Sequence, residues 1–466
     1  MKFNLCIIGG GAGAFAAIIR ANELKSKTVL INTGLPLGGT CVNVGCVPSK
    51  TLIHAAEILH LARHHGIPGI DLEINHFDFQ KVIENELALV EKLREEKYAK
   101  VLKNLENITF LEGKAKFTTA NEVEVNGKRI SAEKFIIACG STATIPPIEG
   151  IHDVGFLTHI EALKITQQPK ELIVIGAGPL SLEFSQLYSR FGSKVTMLVR
   201  KPSIFTRAEK ELTVQLTKIL TNEGIDIRTD TEVKKAFAAN GKKHLVYIRN
   251  GKEETISADE ILLAIGKTPN TNGLGADKAG VEIDGNQAIV VDRFLKTSQQ
   301  HIYALGDVTN QPLRLETTAG REGTLAVENA LLGSKKSIDY HTVPYTIFTD
   351  PQLASIGLTE DAQMQTTGIC ACKTISFSDV PKAHILRRTE GLIKMVIEPN
   401  TKKILGVHIL SRDGGELIAE AMALMRGNQT IDDVISALPV FPTMSEAFKI
   451  VALAFYKDVS KLSCCI

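Results

Sequence analysis

Two short glycine loops, each set between an apolar strand and a helix, constrain this chain more than any other feature. Asn4 to Ile8 read as a strand, Gly9-Gly10-Gly11-Ala12-Gly13-Ala14 follows, a helix is expected from about Phe15 to Leu24, and Thr28 to Ile31 form a second strand. In this Gly-x-Gly-x-x-Ala pattern Gly9 permits the tight turn and Gly11 lets the backbone approach a pyrophosphate. Ala14 completes the pattern, and the helix N-terminus supplies amides and a positive dipole end. The position that often carries an acid for the ribose is Asn32, whose amide can still bond a hydroxyl. The unit recurs: Leu172 to Ile175, then Gly176-Ala177-Gly178-Pro179, a helix to Arg190, and a strand from Lys194 to Val199. Two such units point to one flavin and one nicotinamide coenzyme. The second unit's last strand ends without a carboxylate, and Arg200, Lys201 and Arg207 follow. A ribose 2′-phosphate wants cations there, so NADPH is expected ahead of NADH. A third element, Ile302 to Asp307, ends an apolar strand in Gly306-Asp307, which reads as a flavin contact after two dinucleotide loops.

Composition narrows the setting. With 53 basic and 52 acidic residues the net charge is +1, so no field favours nucleic acid or an anionic membrane. No stretch of 18 apolar residues marks a spanning helix, and the apolar run at the start is too short for a signal peptide. A cytoplasmic protein is expected, and eight cysteines in such a chain are not a disulfide scaffold. Cys6 and Cys139 lie in apolar strand-like runs and read as inert core; Cys370 and Cys372 could offer another metal site, but such a pair on a strand is more often unremarkable, and they receive no role.

The cysteines that matter are Cys41 and Cys46, in Gly38-Gly39-Thr40-Cys41-Val42-Asn43-Val44-Gly45-Cys46-Val47-Pro48-Ser49-Lys50, ahead of a helix-like run from Thr51 to Leu61. At this spacing near a helix N-terminus two sulfurs bridge only if the first turn is distorted, which Gly45 permits. The helix dipole lowers a thiolate pKa there, which suits a pair that is reduced and then attacks. A metal clip would need two further ligands, which no nearby His or Cys supplies in ligand-like spacing. Two unpaired buried thiols are the other alternative.

This segment resembles the active-site signature of the FAD-dependent pyridine nucleotide–disulfide oxidoreductases. The resemblance covers essentially the whole chain, including both glycine loops, Ala264-Ile265-Gly266 before Pro269-Asn270, Gly306-Asp307, and a Phe348-Thr349-Asp350-Pro351 block. It implies that Cys41 is the interchange thiol and Cys46 the thiol against the flavin. Lys50 and Glu183 match the pair beside the reactive flavin nitrogen. Gly39 and Thr40 fall among the expected cofactor contacts.

The far end bears on substrate. Thiol-handling members carry a His-Pro-Thr-x-x-Glu element whose His moves a proton to and from substrate sulfur. The matching run here is Phe441-Pro442-Thr443-Met444-Ser445-Glu446, and phenylalanine transfers no proton. The last histidine is His408, and the chain ends Ser463-Cys464-Cys465-Ile466. Adjacent tail cysteines suit a soft, two-coordinate cation. This ending resembles the mercuric reductase branch, in which one subunit's tail delivers Hg(II) to the other's flavin site. The Tyr those enzymes carry near the position of Phe441 is absent, and their other active-site Tyr matches Tyr98, in a helix-like run from Leu87 to Leu102. An N-terminal Cys-x-x-Cys module is not expected.

The fold expected is α/β, with two Rossmann-like dinucleotide-binding domains and a C-terminal α+β dimerisation domain. The FAD domain spans 1–150 and 271–337, the NAD(P)H domain 151–270 and the dimerisation domain 338–466. In that last part, alternation over Leu392 to Ile397 marks an antiparallel sheet, with helices near Gly415 to Arg426 and Met444 to Tyr456. The expected activity is NADPH-dependent reduction of Hg(II) to Hg(0) by a homodimer, with Cys41, Cys46, Cys464 and Cys465 as the metal-handling thiols. The alternatives are a disulfide or quinone reductase of the same family, and a thiophilic-metal binding protein without turnover.

Overall fold

A computed structural model describes residues 1–463. The first glycine loop sits at one end of a seven-stranded sheet. Parallel pairing runs Ile108–Glu112, Thr28–Asn32, Lys2–Ile8, Lys128–Ile137 and Ile302–Ala304, and two short antiparallel strands hang on the Lys128–Ile137 strand. The inner residues of the central strands are apolar because both faces are covered: Leu5 and Ile7 are fully buried under helices, and Cys6 is fully buried on the other face with Phe117, Val123 and Ile289. The helix Ala12–Glu23 crosses the helix Glu316–Leu332 very closely, because a Cβ on Gly323 would lie 2.1 Å from the carbonyl oxygen of Gly13. Only glycine allows that approach.

The second unit repeats the plan with a four-stranded parallel sheet, Asp226–Arg228, Lys194–Leu198, Glu171–Ile175 and Glu260–Leu263. A three-stranded antiparallel sheet over Thr231–Ala258 packs beside it. The C-terminal part is a five-stranded antiparallel sheet in the order Tyr345–Ile347, Gln352–Gly357, Ile404–Ser411, Leu392–Ile397 and Ala371–Ser376. Helices Gly414–Arg426 and Glu446–Leu453 pack on it. The architecture is therefore α/β with two dinucleotide-type units and a C-terminal α+β part. Among the described residues, no helix is long and apolar enough to cross a membrane.

Two local readings need correction. Cys139 lies past the end of its strand, half-buried, with its thiol 3.1 Å from the carbonyl of Asn270. The helix expected over Leu87 to Leu102 begins at Phe79, where the Asp78 side chain caps it, and passes through a π-helical turn at Glu95–Ala99. Nothing in the residue pattern marks that turn.

Candidate functional site

The thiol pair is built by a broken helix. A short helix, Gly39–Val44, carries Cys41 and stops at Gly45, and a long one, Cys46–His64, starts at once. A Cβ on Gly45 would stand 2.8 Å from the carbonyl oxygen of Thr40 and 3.2 Å from Cα of Cys41, so the two helices abut only through glycine. Cys46 therefore occupies the first turn of the long helix. It is exposed, and Cys41 is half-buried.

The two thiols titrate as a pair. A hydrogen bond from Cys41 lowers Cys46 to about 7; burial opposes this and the Lys50 charge assists it. Cys41 is pushed far up, first by its hydrogen bond to Cys46 and then by burial and the Cys46 charge. The first proton thus leaves Cys46, and Cys41 keeps its own. Alkylation of the reduced enzyme by iodoacetamide should accordingly rise with pH at a midpoint of about 7. A Lys50→Met variant should shift that midpoint upward. A wild-type midpoint at the ordinary thiol value near ~8.5 would contradict the pairing.

Lys50 lies one turn further along the long helix. Its Nζ donates to Oε2 of buried Glu183 at 2.7 Å and sits 4.7 Å from the Phe348 ring centroid. The other carboxylate oxygen of Glu183 accepts from the backbone N–H of Phe348 at 2.9 Å. The Phe348–Pro351 block is held to the helix Pro179–Phe191, which carries Glu183, by Gln186, which exchanges two 2.8 Å hydrogen bonds with the Asp350 backbone, and by Arg190, 3.0 Å from the Asp350 carboxylate.

Tyr98, in the π-helical turn, meets Phe15 edge-on at 4.8 Å. Burial, then the charges of Cys41, Glu316 and Cys46, push its hydroxyl up to about 12. The structure therefore brings together Cys41, Cys46, Lys50, Glu183 and Tyr98, from three separate stretches of chain. Phe441 is 54% exposed at the far end, and His408 is buried with Nε2 2.9 Å from the Leu358 carbonyl oxygen. Cys464 and Cys465 lie outside the described residues.

The residues present fit dinucleotides. In each loop the first glycine is held by protein: a Cβ on Gly9 would stand 2.1 Å from the Ala138 carbonyl oxygen, and one on Gly176 would stand 2.3 Å from that of Ala264. The second glycine leaves room: a Cβ on Gly11 would meet only the Gly39 Cα, at 3.9 Å, and one on Gly178 would meet nothing within 4 Å. A bare backbone at a helix N-terminus is what a pyrophosphate needs. Ala14, fully buried, packs the first helix on the sheet. Gly39 presses against Gly11, and Thr40 follows it at the start of the short helix. Asn32 ends its strand with Nδ2 donating to the Leu35 carbonyl at 3.0 Å, which leaves Oδ1 to accept from a ribose hydroxyl. Asp307 takes the Ser141 hydroxyl on Oδ2 at 2.7 Å, and Gly306 donates to buried Glu322 at 2.6 Å. Arg200, Lys201 and Arg207 are exposed and form no ion pair among the described residues. Their segment folds over the second loop, where the Phe205 N–H donates to the Ala177 carbonyl at 3.0 Å.

Ser141, Glu322 and Lys267 escaped sequence reasoning. Lys267 lies just before Pro269-Asn270; burial lowers its pKa, while the charges of Asp307 and Cys46 act to raise it. Its place in that element was the one available signal.

Comparison with known proteins agrees with this geometry. Residues 3–323 match the family model described as pyridine nucleotide-disulphide oxidoreductase, and residues 343–452 match the dimerisation domain of the same family. The chain is 36% identical over 464 residues to a mercuric reductase of Lysinibacillus sphaericus, covering 100% of this chain and 84% of that one. It is 37% identical over 471 residues to a mercuric reductase of Streptomyces lividans, covering 99% and 98%. The solved Cu(II) complex of the HOCl-induced flavoprotein disulfide reductase RclA from Escherichia coli superposes with a TM-score of 0.87 at 26% identity, covering 98% of this chain and 100% of that one. By both family models and by similarity along its whole length, the chain belongs to the pyridine nucleotide-disulphide oxidoreductase family and is a flavoprotein oxidoreductase.

Proposed function

We propose that this protein reduces Hg(II) to Hg(0) with electrons from NADPH, as a homodimer whose active site draws on both subunits. The observation that carries the reading is the thiol pair at Gly45, in a chain similar end to end to mercuric reductases and with Phe441 where thiol-handling relatives place their His. The first unit (1–150 with 271–337) would hold FAD, residues 151–270 NADPH, and 338–466 the partner subunit. Pairing of Ile302–Ala304 with Phe135–Ile137 supports the discontinuous first unit. Bound FAD would supply two-electron transfer between the nicotinamide and a thiol pair. Gly9, Gly11 and Asn32 would hold its adenosine end, Asp307 its ribityl chain, and Lys50 with Glu183 its reactive edge. Arg200, Lys201 and Arg207 would select the 2′-phosphate of NADPH.

The chain's own work is to hold sulfur in the right state. Cys46, kept as thiolate by Cys41 and Lys50, offers one soft donor, and Cys41 offers a second on losing its proton. Hg(II) arrives as a bis-thiolate complex on Cys464 and Cys465 of the partner subunit and is transferred by ligand exchange to Cys41 and Cys46. It there gains two electrons and leaves as Hg(0). No substrate sulfur needs protonation, so the missing His costs nothing.

The test is anaerobic NADPH oxidation with Hg(II), glutathione disulfide, lipoamide, a quinone or Cu(II) as acceptor; Cu(II) is included because the RclA structure is a Cu(II) complex. Turnover with Hg(II) well above the rest is expected. The Cys464→Ala/Cys465→Ala variant should lose on the order of 10²-fold in kcat/KM for Hg(II), since a delivered substrate becomes a diffusing one. Efficient turnover of a disulfide or quinone with Hg(II) only inhibiting would overturn the assignment. Stoichiometric metal uptake without NADPH oxidation would do so too.

A further inference from the structure

The far edge of the C-terminal sheet carries a second thiol pair. The strand Ala371–Ser376 begins one residue after Cys370, and Cys372 points to the same side of it. Thr374, two residues on, pairs with Lys394 on the neighbouring strand, so Cys370, Cys372 and Lys394 share one face. Glu360, the first residue of the helix Glu360–Thr367, comes back over that face. The two sulfurs and a carboxylate oxygen of Glu360 all lie within 4.8 Å of one another, and all three side chains are half-buried. We propose that Cys370, Cys372 and Glu360 form a second cation site, separate from the Cys41–Cys46 pair, for a divalent thiophilic cation of the zinc–cadmium class held by two sulfurs and one oxygen.

Softness matching favours such cations at a dithiolate, and a carboxylate with one water completes a tetrahedron. The surrounding field is negative: Lys394 is the one ammonium among Glu209, Glu211 and Glu360, lying 3.1 Å from Glu209 and 2.8 Å from Glu211 and touching Glu360. Cysteine thiols, with an ordinary pKa of about 8.5, are mostly protonated at neutral pH. Binding therefore exchanges two protons for one divalent cation. A disulfide is the competing use of the pair. Residues two apart on an extended strand have Cα atoms roughly 6.6–6.8 Å apart, at the upper limit for that bond.

The inference is independent of the mercury reading, and its test uses no turnover. In flavin-loaded full-length protein carrying Cys41→Ser, Cys46→Ser, Cys464→Ala and Cys465→Ala, cadmium(II) titration is expected to show one saturable equivalent per chain. A sulfur-to-cadmium absorption band and release of two protons should accompany it. Adding Cys370→Ser and Cys372→Ser should abolish the band, and Glu360→Gln should weaken binding by about tenfold. Where that background loses its flavin, the same difference is read in the otherwise native chain, whose total cadmium should fall by one equivalent on Cys372→Ser. The proposal is overturned if Cys370 and Cys372 can be removed without loss of cadmium. Equally fatal would be two thiols missing from the thiol count before metal is added, which would mark a disulfide.

Discussion

Replacing either Cys41 or Cys46 with serine is expected to cut Hg(II)-dependent NADPH oxidation by about 10³-fold or more, roughly 4 kcal/mol of barrier. The two positions do different things, and neither can stand in for the other. Cys46→Ser removes the group whose pKa the site lowers, and a serine hydroxyl does not ionise near neutrality. Cys41→Ser removes the second soft donor, leaving a hard oxygen that a two-coordinate Hg(II) centre does not accept. It also replaces the thiol whose hydrogen bond is the largest influence lowering Cys46. Both substitutions are nearly isosteric, so flavin content and melting temperature should stay near wild type while turnover collapses. Steady-state assays alongside the flavin spectrum check this. A Cys41→Ser enzyme that still turned over Hg(II) within tenfold of wild type would remove the thiol pair from the mechanism.

The second large effect concerns stability. Lys394 is 1% exposed in a middle strand of the C-terminal sheet, where its ammonium meets Glu209, Glu211 and Glu360. Burial alone would lower its pKa; hydrogen bonds to Glu211 and Glu360 and the Glu209 charge more than reverse this, and the net shift is upward. Lys394→Met removes the ammonium from Glu209, itself only 5% exposed, leaving a buried carboxylate with the Glu360 N–H and His408 beside it, and should destabilise the fold by about 3–5 kcal/mol. Adding Glu209→Gln should return part of that loss, because the stranded charge goes with it. Urea unfolding followed by circular dichroism measures both. The pH dependence has a definite sign. A lysine pKa raised on folding gives stability that is fully present below the unfolded value of about 10.4 and is lost as pH climbs through the folded one. The wild-type advantage over Lys394→Met should therefore be flat across neutrality, shrink in strong alkali, and shrink also in acid, where Glu360, whose pKa Lys394 lowers, takes up a proton. A loss below 1 kcal/mol would mean that solvent reaches the cluster.

What the sequence made legible was local. Each dinucleotide unit is a strand, a turn and a helix within about thirty residues, so apolar runs and glycine spacing locate it; the second helix, read as ending at Arg190, ends at Phe191. The thiol pair is equally local, because Gly45 sits beside both cysteines it serves. Glu183 was reachable only through resemblance, since nothing near it says that it meets a lysine 133 positions away. Glu322 and Ser141 had no such help: each does its work across a fold that periodicity cannot assemble. Lys394 shows the limit most plainly. The alternation Leu392 to Ile397 gives the right kind of sheet, yet its one charged residue faces the helix Lys210–Asn222 and not water. Periodicity reports which residues share a side; what covers that side is a tertiary matter.

The two oxygens of Glu183 have a mechanical consequence. One is committed to the helix that follows the thiols, the other to the backbone between the first two strands of the C-terminal sheet, while the residue itself belongs to the second dinucleotide-type unit. Glu183 is only 3% exposed, so releasing either partner leaves a buried carboxylate oxygen without that donor. Any swing of that unit relative to its neighbours must therefore pivot around this side chain, which acts as the pin of a three-way joint.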